Sequence, residues 1–126
     1  MFEKLLEKVS SALDRRQIRG NPLEREEIIG QIKRAVYEVE PEAEIILYGS
    51  RSRRQALPES DWDLLILVEG PIDDKRTDRI RHRLYEIEWE SGEVISSIVR
   101  DRQDWNSDLY RAMPFHQRVE QEGTRL

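Results

Sequence analysis

A glycine–serine pair and a pair of aspartates stand ten residues apart in this chain, and both pairs suit phosphate chemistry. Gly49 and Ser50 follow one apolar run, and Asp61 and Asp63 precede another. Backbone N–H groups of a glycine-bearing turn favour phosphate oxygens, and a serine hydroxyl can add a hydrogen bond. Magnesium is commonly held by one or two carboxylates together with substrate phosphates. The combination therefore predicts a site for a magnesium-bound nucleoside triphosphate.

The two aspartates lie two positions apart at the start of a predicted strand, so strand alternation puts both carboxylates on one face. Two like charges so close are unfavourable unless a cation sits between them. An isolated Asp-x-Asp also has a simpler interpretation, in which Asp61 caps a turn and Asp63 is merely exposed. The presence of Gly49 and Ser50, with an apolar strand on each side of the motif, favours the metal site.

Three arginines, Arg51, Arg53 and Arg54, lie between the two pairs. One or two of them could reach a triphosphate through charge-assisted hydrogen bonds. Taken alone, such a run is typical of a solvated, charged turn. Beside the acidic pair, we interpret Arg51 and Arg53 as nucleotide-binding residues together with Gly49 and Ser50.

The composition restricts the class of protein. A chain of 126 residues predicts one domain. The net charge of -5, from 26 acidic and 21 basic residues, argues against a nucleic-acid-coating protein. No apolar run approaches the roughly 20 residues that span a membrane, and the charged N-terminus does not resemble a signal peptide. The absence of cysteine excludes disulfides and thiolate metal sites, and it fits a cytoplasmic protein.

Hydrophobic periodicity and turn residues predict the order helix, helix, strand, strand, helix, strand, helix. The expected helices cover residues 2–18, 22–40, 73–90 and 114–123, the expected strands 44–48, 63–68 and 93–99, and a turn or short helix lies around 104–110. This order indicates a domain of the α/β (α+β) class, with helices packed on a small sheet of at least three strands.

The motif resembles the signature of the DNA polymerase beta-like nucleotidyltransferase superfamily. Residues 48–53 and 60–66 carry the match, with Gly-Ser, ten residues and Asp-x-Asp, and the stretch 114–126 also looks like the end of stand-alone nucleotidyltransferase domains. The size is similar to that of the minimal nucleotidyltransferases, small prokaryotic proteins often paired with a HEPN-domain partner. The resemblance predicts a nucleotidyltransferase domain over residues 21–126, with residues 1–20 as an N-terminal helical extension.

The resemblance implies a nucleotidyltransferase fold with a mixed sheet, and it implies a reaction. Asp61 and Asp63 would hold magnesium and act as the catalytic carboxylates, while Gly49 and Ser50 would hold the phosphates. A nucleotidyl group, commonly AMP from ATP, would pass to a protein or small-molecule acceptor. In paired systems the acceptor can be a tyrosine of the HEPN toxin, and the transferase then serves as antitoxin.

Two positions depart from the superfamily pattern. A third carboxylate usually stands on a later strand, but the middle of the corresponding strand here holds Ser96 and Ser97, with Glu93 at its edge and Asp101 beyond its end. Arg54 stands where many relatives carry a small residue. These departures support a second hypothesis, in which the chain is a catalytically impaired nucleotide- or partner-binding module of the same fold.

Two further features have open interpretations. An apolar stripe in the first helix, which includes Leu6, Val9 and Leu13, could form a homo-oligomer, although packing on its own domain is the simpler role. The three tryptophans could stack on a base, although packing in the core or at an interface is their more common role. His116 could act as a base, although a histidine in a terminal helix is more often structural or exposed.

Overall fold

The computed structural model describes residues 22–53 and 60–126, which form a four-stranded mixed sheet and five helices. In chain order the elements are α1 (Pro22–Val39), β1 (Glu44–Tyr48), β2 (Trp62–Val68), α2 (Asp74–Ser91), β3 (Ile95–Asp101), α3 (Arg102–Trp105), α4 (Asp108–Arg111), α5 (Pro114–Glu122) and β4 (Thr124–Arg125). The predicted α/β class and the mixed sheet are confirmed. The helix predicted over residues 2–18 lies outside the described residues, so the N-terminal extension stays a prediction.

The strands lie in the order β3-β2-β1-β4, which puts β2 and β1 in the centre. β1 pairs antiparallel with both β2 and β4, whereas β2 and β3 run parallel. A parallel pair needs a crossover connection, and α2 supplies it between β2 and β3. The antiparallel pair of β1 and β2 is joined instead by the segment that carries the Gly-Ser and Asp-x-Asp motif.

The two faces of the sheet carry different helices. Leu64 and Ile66 of β2 pack with residues of α1 and α2 in the larger hydrophobic cluster. Leu65 and Leu67 face the opposite way and pack with Trp105 of α3 and with residues of α5. Burial on both faces explains why β2 reads as a continuous apolar run. It also places Asp63, two positions before Leu65, on the face covered by α3 to α5.

The third strand lies two residues further along the chain than the sequence predicts, at Ile95–Asp101 instead of 93–99. Gly92 ends α2 in the left-handed conformation, with φ of 76°, as expected for a helix C-cap. Glu93 then belongs to the connection, where its N–H donates to Ser91 Oγ at 3.1 Å. β2 in turn begins one residue early, because the N–H of Trp62 donates to the carbonyl of Val94 at 2.8 Å. Glu93 is therefore not a strand residue.

The strand β4 was not predicted, and a glycine makes it possible. A Cβ on Gly123 would come within 2.5 Å of the carbonyl oxygen of Val119 and 2.7 Å of Ile46 Cγ2. The chain can therefore pass this closely from α5 to the edge of β1 only without a side chain. A strand of two residues shows no alternation that a sequence pattern could reveal. No helix in the described part of the chain is long and apolar enough to cross a bilayer.

Candidate functional site

The Gly49 turn begins directly where β1 ends. Gly49 has φ of 74°, a left-handed conformation that residues with a Cβ adopt only with strain. Ser50 is the next residue of the turn, and the N–H of Ser52 closes it by donating to the carbonyl of Gly49 at 3.1 Å. Arg54 and the rest of residues 54–59 lie outside the described part of the chain, so the effect expected of Arg54 stays a prediction.

The structure brings the glycine and the aspartate halves of the motif together. Asp63 of β2 lies opposite Tyr48 of β1 in the antiparallel register. A Cβ built on Gly49 would stand 2.5 Å from Asp63 Oδ2. The backbone of the turn and the carboxylate are thus neighbours, although fourteen positions separate them in sequence. This contact brings the predicted phosphate-binding turn next to one of the two predicted metal ligands.

The acidic pair carries an electrostatic penalty. Burial raises the pKa of Asp63, and the nearby charge of Asp61 raises it further. Burial also raises the pKa of the Tyr48 phenol, and the charge of Asp63 adds to that effect. A bound cation would relieve this concentration of negative charge. The carboxylate oxygens of Asp61 and Asp63 are hard ligands, so the donor set fits magnesium.

A third carboxylate does not join this pair among the residues that the structure describes, where no cluster of three or more His, Cys, Asp and Glu side chains occurs. The parallel register places Ser96 beside Asp63 and places Asp101 beside Val68, at the far end of β3. Five residues of strand separate those two positions, or about 17 Å. Asp101 instead caps α3, where it accepts from the N–H of Gln103 at 2.8 Å.

Glu93 faces away from the acidic pair. It is only 6 % exposed, and its Oε2 accepts from Arg51 Nη2 at 3.3 Å and from Trp62 Nε1 at 3.4 Å. The Trp62 side chain packs in the cluster under α1 and α2, on the sheet face opposite Asp63. Glu93 therefore satisfies a buried indole and a guanidinium, and Ser96 occupies the position beside Asp63.

Arg51 connects the two ends of the segment between the motif pairs. Its Nε and Nη2 donate to the carbonyl of Ser60 at 3.2 and 3.0 Å. Its guanidinium lies 4.7 Å from the centroid of the Trp62 ring, a cation–π distance. Together with the ion pair to Glu93, these contacts fix the residue that precedes Asp61. Arg51 thus has a positioning role in the structure, and its predicted contact with a phosphate stays a prediction.

The turn is also tied to the C-terminal end of α5. Arg53 Nη1 lies 2.9 Å from Glu122 Oε2, and the Ser52 hydroxyl donates to the backbone carbonyl of Glu122. The same hydroxyl lies 3.1 Å from Thr124 Oγ1 on β4. The predicted role of Arg53 at a phosphate stays untested, since its guanidinium is paired with Glu122 here.

The aromatic residues weighed as base-stacking groups mostly belong to the core. Trp62 and Trp105 are buried, and Trp105 stacks on the buried His116 ring at 4.3 Å between centroids. The structural interpretation of these three residues is confirmed. Trp89 is 47 % exposed on α2. The sequence did not indicate a role for Arg118 on α5, whose positive charge lowers the pKa of the Tyr48 phenol.

Comparison with known proteins identifies the family. The family model described as Nucleotidyltransferase domain matches residues 29–121, about three quarters of the chain. That range includes the Gly49 turn, the two aspartates and Ser96. No curated protein and no solved structure was found to match. With a match of this extent over the same residues that build the site, the chain belongs to the nucleotidyltransferase domain family.

Proposed function

We propose that the chain transfers an adenylyl group from magnesium-bound ATP to a hydroxyl acceptor on a protein or a small molecule. Nucleotidyl transfer from a nucleoside triphosphate is the reaction of its family. The observation that carries the proposal is the contact between Gly49 and Asp63, because it joins a turn suited to phosphate with the acidic pair.

Each residue of the site has a role in this reaction. The N–H groups of the Gly49 turn and the Ser50 hydroxyl would bind phosphate oxygens, and Asp61 and Asp63 would hold the magnesium. When bound, the ion would neutralise charge on the triphosphate and polarise its phosphoryl oxygens. The acceptor oxygen forms a bond to the α-phosphorus, the bond from that phosphorus to pyrophosphate breaks, and the acceptor proton passes to solvent. Arg51 keeps Asp61 in place through Ser60.

The resemblance to the minimal nucleotidyltransferases extends the proposal to a partner. A tyrosine of a HEPN-domain protein would be the acceptor, and the chain would act as its antitoxin in the cytoplasm. A tyrosine hydroxyl satisfies the chemistry, since it provides an oxygen nucleophile for the α-phosphorus. A small-molecule hydroxyl satisfies the same chemistry, so the experiment includes both kinds of acceptor.

The proposal is tested by incubating the protein with α-labelled ATP, magnesium, and either the product of the neighbouring gene or a panel of small hydroxyl compounds. We expect label transfer that magnesium supports and EDTA stops. The double variant Asp61→Ala/Asp63→Ala should lose the transfer. The matched control Asp74→Ala/Asp78→Ala also removes two aspartates, both of them exposed on α2 on the other sheet face, and it should keep the transfer. Equal labelling by the wild type and the first variant would contradict catalysis at this site.

A second candidate function is favoured by one observation, the serine beside Asp63. Without a third carboxylate at that position, the domain would bind a nucleotide or a partner with little turnover. In that case the chain should form a stable complex and neutralise its partner even as the Asp61→Ala/Asp63→Ala variant. Loss of neutralisation in that variant would contradict the binding-only function and support the catalytic one.

A gain-of-function variant separates the two candidates. Ser96→Asp puts a carboxylate in register with Asp63, so transfer should rise about tenfold or more if the missing acid limits the rate, since general bases contribute roughly 10²- to 10⁴-fold. Ser96→Asn adds similar bulk without charge and should not raise the rate. Ser97→Asp puts the charge on the opposite sheet face and should also fail to raise it. Initial rates of label transfer compare the three variants with the wild type. An unchanged rate in Ser96→Asp would contradict the idea that the missing carboxylate limits the transfer rate.

A further inference from the structure

Arg118 is an exposed cation on α5, beside the site. In the described ranges, residues 22–53 and 60–126, no hydrogen bond or ion pair joins its guanidinium to another residue. A charged side chain without a protein partner, next to an acidic pair that is expected to hold a metal, is available for an anionic ligand.

The helix α5 directs Arg118 toward the end of β1. Phe115 is three positions before it and Glu122 four positions after it, so all three lie on one helix face. The Phe115 ring contacts Tyr48 edge-on with centroids 5.4 Å apart, and Glu122 holds Arg53 at 2.9 Å. Because the residues on both sides of Arg118 along this face contact the segment from Tyr48 to Arg53, Arg118 lies over the same segment, which contains Gly49.

Electrostatics agree with this position. The positive charge of Arg118 lowers the pKa of the Tyr48 phenol, against the larger raising effects of burial and of Asp63. An effect on this phenol requires the guanidinium to be near it. Tyr48 lies opposite Asp63 in the sheet register, so the charge of Arg118 is also placed on the Asp63 side of the sheet.

The other two described arginines of the motif are already bound to protein oxygens. Arg51 donates to the Ser60 carbonyl and pairs with Glu93, and Arg53 pairs with Glu122. A phosphate would have to compete with these partners. Arg118 has no such competitor among the described residues, and a guanidinium can bind two phosphate oxygens with its planar fork.

We propose that Arg118 binds the non-transferred β- and γ-phosphates of the nucleotide at the Gly49 turn. The assignment rests on the proposed function, because it requires a triphosphate between the turn and the acidic pair. It adds to that function a residue from α5, so that the same helix that fixes Arg53 would also hold the leaving pyrophosphate.

Binding of nucleotides of different phosphate number tests the assignment. The probe is α,β-methylene ATP with magnesium, which cannot release pyrophosphate, and titration calorimetry measures its dissociation constant. Arg118→Gln should weaken its binding about tenfold or more, the size expected for a charge-assisted hydrogen bond to phosphate. The same variant should change the binding of AMP by less than about twofold. Arg118→Lys keeps the charge without the fork, and it should give an intermediate affinity.

The control is Arg34→Gln, which removes an exposed arginine from α1 on the opposite sheet face and should leave both affinities unchanged. Equal binding of the ATP analogue by wild type and Arg118→Gln would overturn the assignment while leaving the proposed function intact. Equal losses for the analogue and for AMP would also overturn it, since Arg118 would then not contact the terminal phosphates. A wild-type protein that binds no nucleotide with magnesium would overturn the proposed function, and this assignment with it.

Discussion

Replacing Asp63 by asparagine is expected to reduce nucleotidyl transfer about a thousandfold or more and to stabilise the nucleotide-free protein at the same time. Asparagine has nearly the same shape but no negative charge, so it would be a poor ligand for magnesium. A metal ion contributes several kcal/mol to stabilising transition-state charge, and several kcal/mol corresponds to about a thousandfold in rate. Initial rates of label transfer from ATP measure this loss.

The gain in stability follows from the direction of the pKa shift. Burial and the charge of Asp61 raise the pKa of Asp63 above its usual 3.8, so the folded protein holds the Asp63 proton more tightly than the unfolded chain does. Ionisation of Asp63 therefore opposes folding. The penalty is absent below pH 3.8, grows as the pH rises through the raised pKa, and is complete above it. Asp63→Asn should thus exceed the wild type in stability at pH 7, and this difference should shrink as the pH falls toward 4.

Urea unfolding of both proteins without magnesium, between pH 4 and pH 8, measures the difference. Asp78→Asn, which neutralises an exposed acid on α2, is the control and should show no comparable pH-dependent gain. Added magnesium should remove the advantage of Asp63→Asn, because the ion stabilises only the folded protein with an intact site. A variant less stable than the wild type at pH 7 without magnesium would contradict the electrostatic account.

The ends of helices and strands that are marked by local capping, turn or apolar residues could be predicted from the sequence to within about two residues. Gly92 and Pro41 mark the ends of the two long helices, and the apolar runs give β1 and β2. The motif spacing also predicts that a turn and an acidic pair flank these strands. Pairing β1 with β2 in the observed register then puts Asp63 opposite Tyr48 and beside the turn. That register is set by tertiary packing, because it depends on which side chains fill both faces of the sheet.

The parts that could not be predicted depend on contacts between distant positions. Arg51 and Glu93 are 42 residues apart. The sequence indicates a phosphate ligand in Arg51 and an acid at the edge of a strand in Glu93, yet the two side chains pair with each other beside Trp62. Ser96 and Ser97 were equivalent in the sequence, and only the parallel register selects Ser96 as the neighbour of Asp63. Nothing in the sequence distinguishes Arg118 from the other basic residues, because its position near the site depends on the packing of α5 against β1.

Gly49→Ala is expected to damage both stability and activity, although it adds a single methyl group. Holding alanine at the φ of 74° costs about 1 to 2 kcal/mol. The new Cβ would also stand 2.5 Å from Asp63 Oδ2, so the carboxylate must move. We expect the free energy of unfolding to fall by about 2 kcal/mol or more. Label transfer should fall about a hundredfold, since a displacement of roughly 1 Å at a reacting site has an effect of that size.

Gly30→Ala is the matched control for this prediction. Gly30 lies within α1, and the nearest atom to an added Cβ, Arg34 Nη2, is 4.0 Å away. Alanine is favoured over glycine inside a helix by about 1 kcal/mol, so this variant should gain stability and keep its activity. Urea unfolding and initial transfer rates compare the two variants. If Gly49→Ala had the same stability and the same transfer rate as Gly30→Ala, the close contact between Gly49 and Asp63 would be contradicted.

A double-mutant cycle separates the steric cost from the backbone cost at Gly49. In an Asp63→Ala background the two nearest atoms to the added Cβ, Asp63 Oδ2 and Cγ, are gone, and the remaining neighbour, Asp63 Cβ, lies at an ordinary 3.6 Å. Gly49→Ala should then show only the cost of the positive φ. The coupling energy between the two substitutions should be about 0.5 to 3 kcal/mol, as for residues in contact. Simple additivity would instead mean that the turn and the carboxylate do not touch, and that the ten-residue spacing does not bring phosphate and metal ligands into one site.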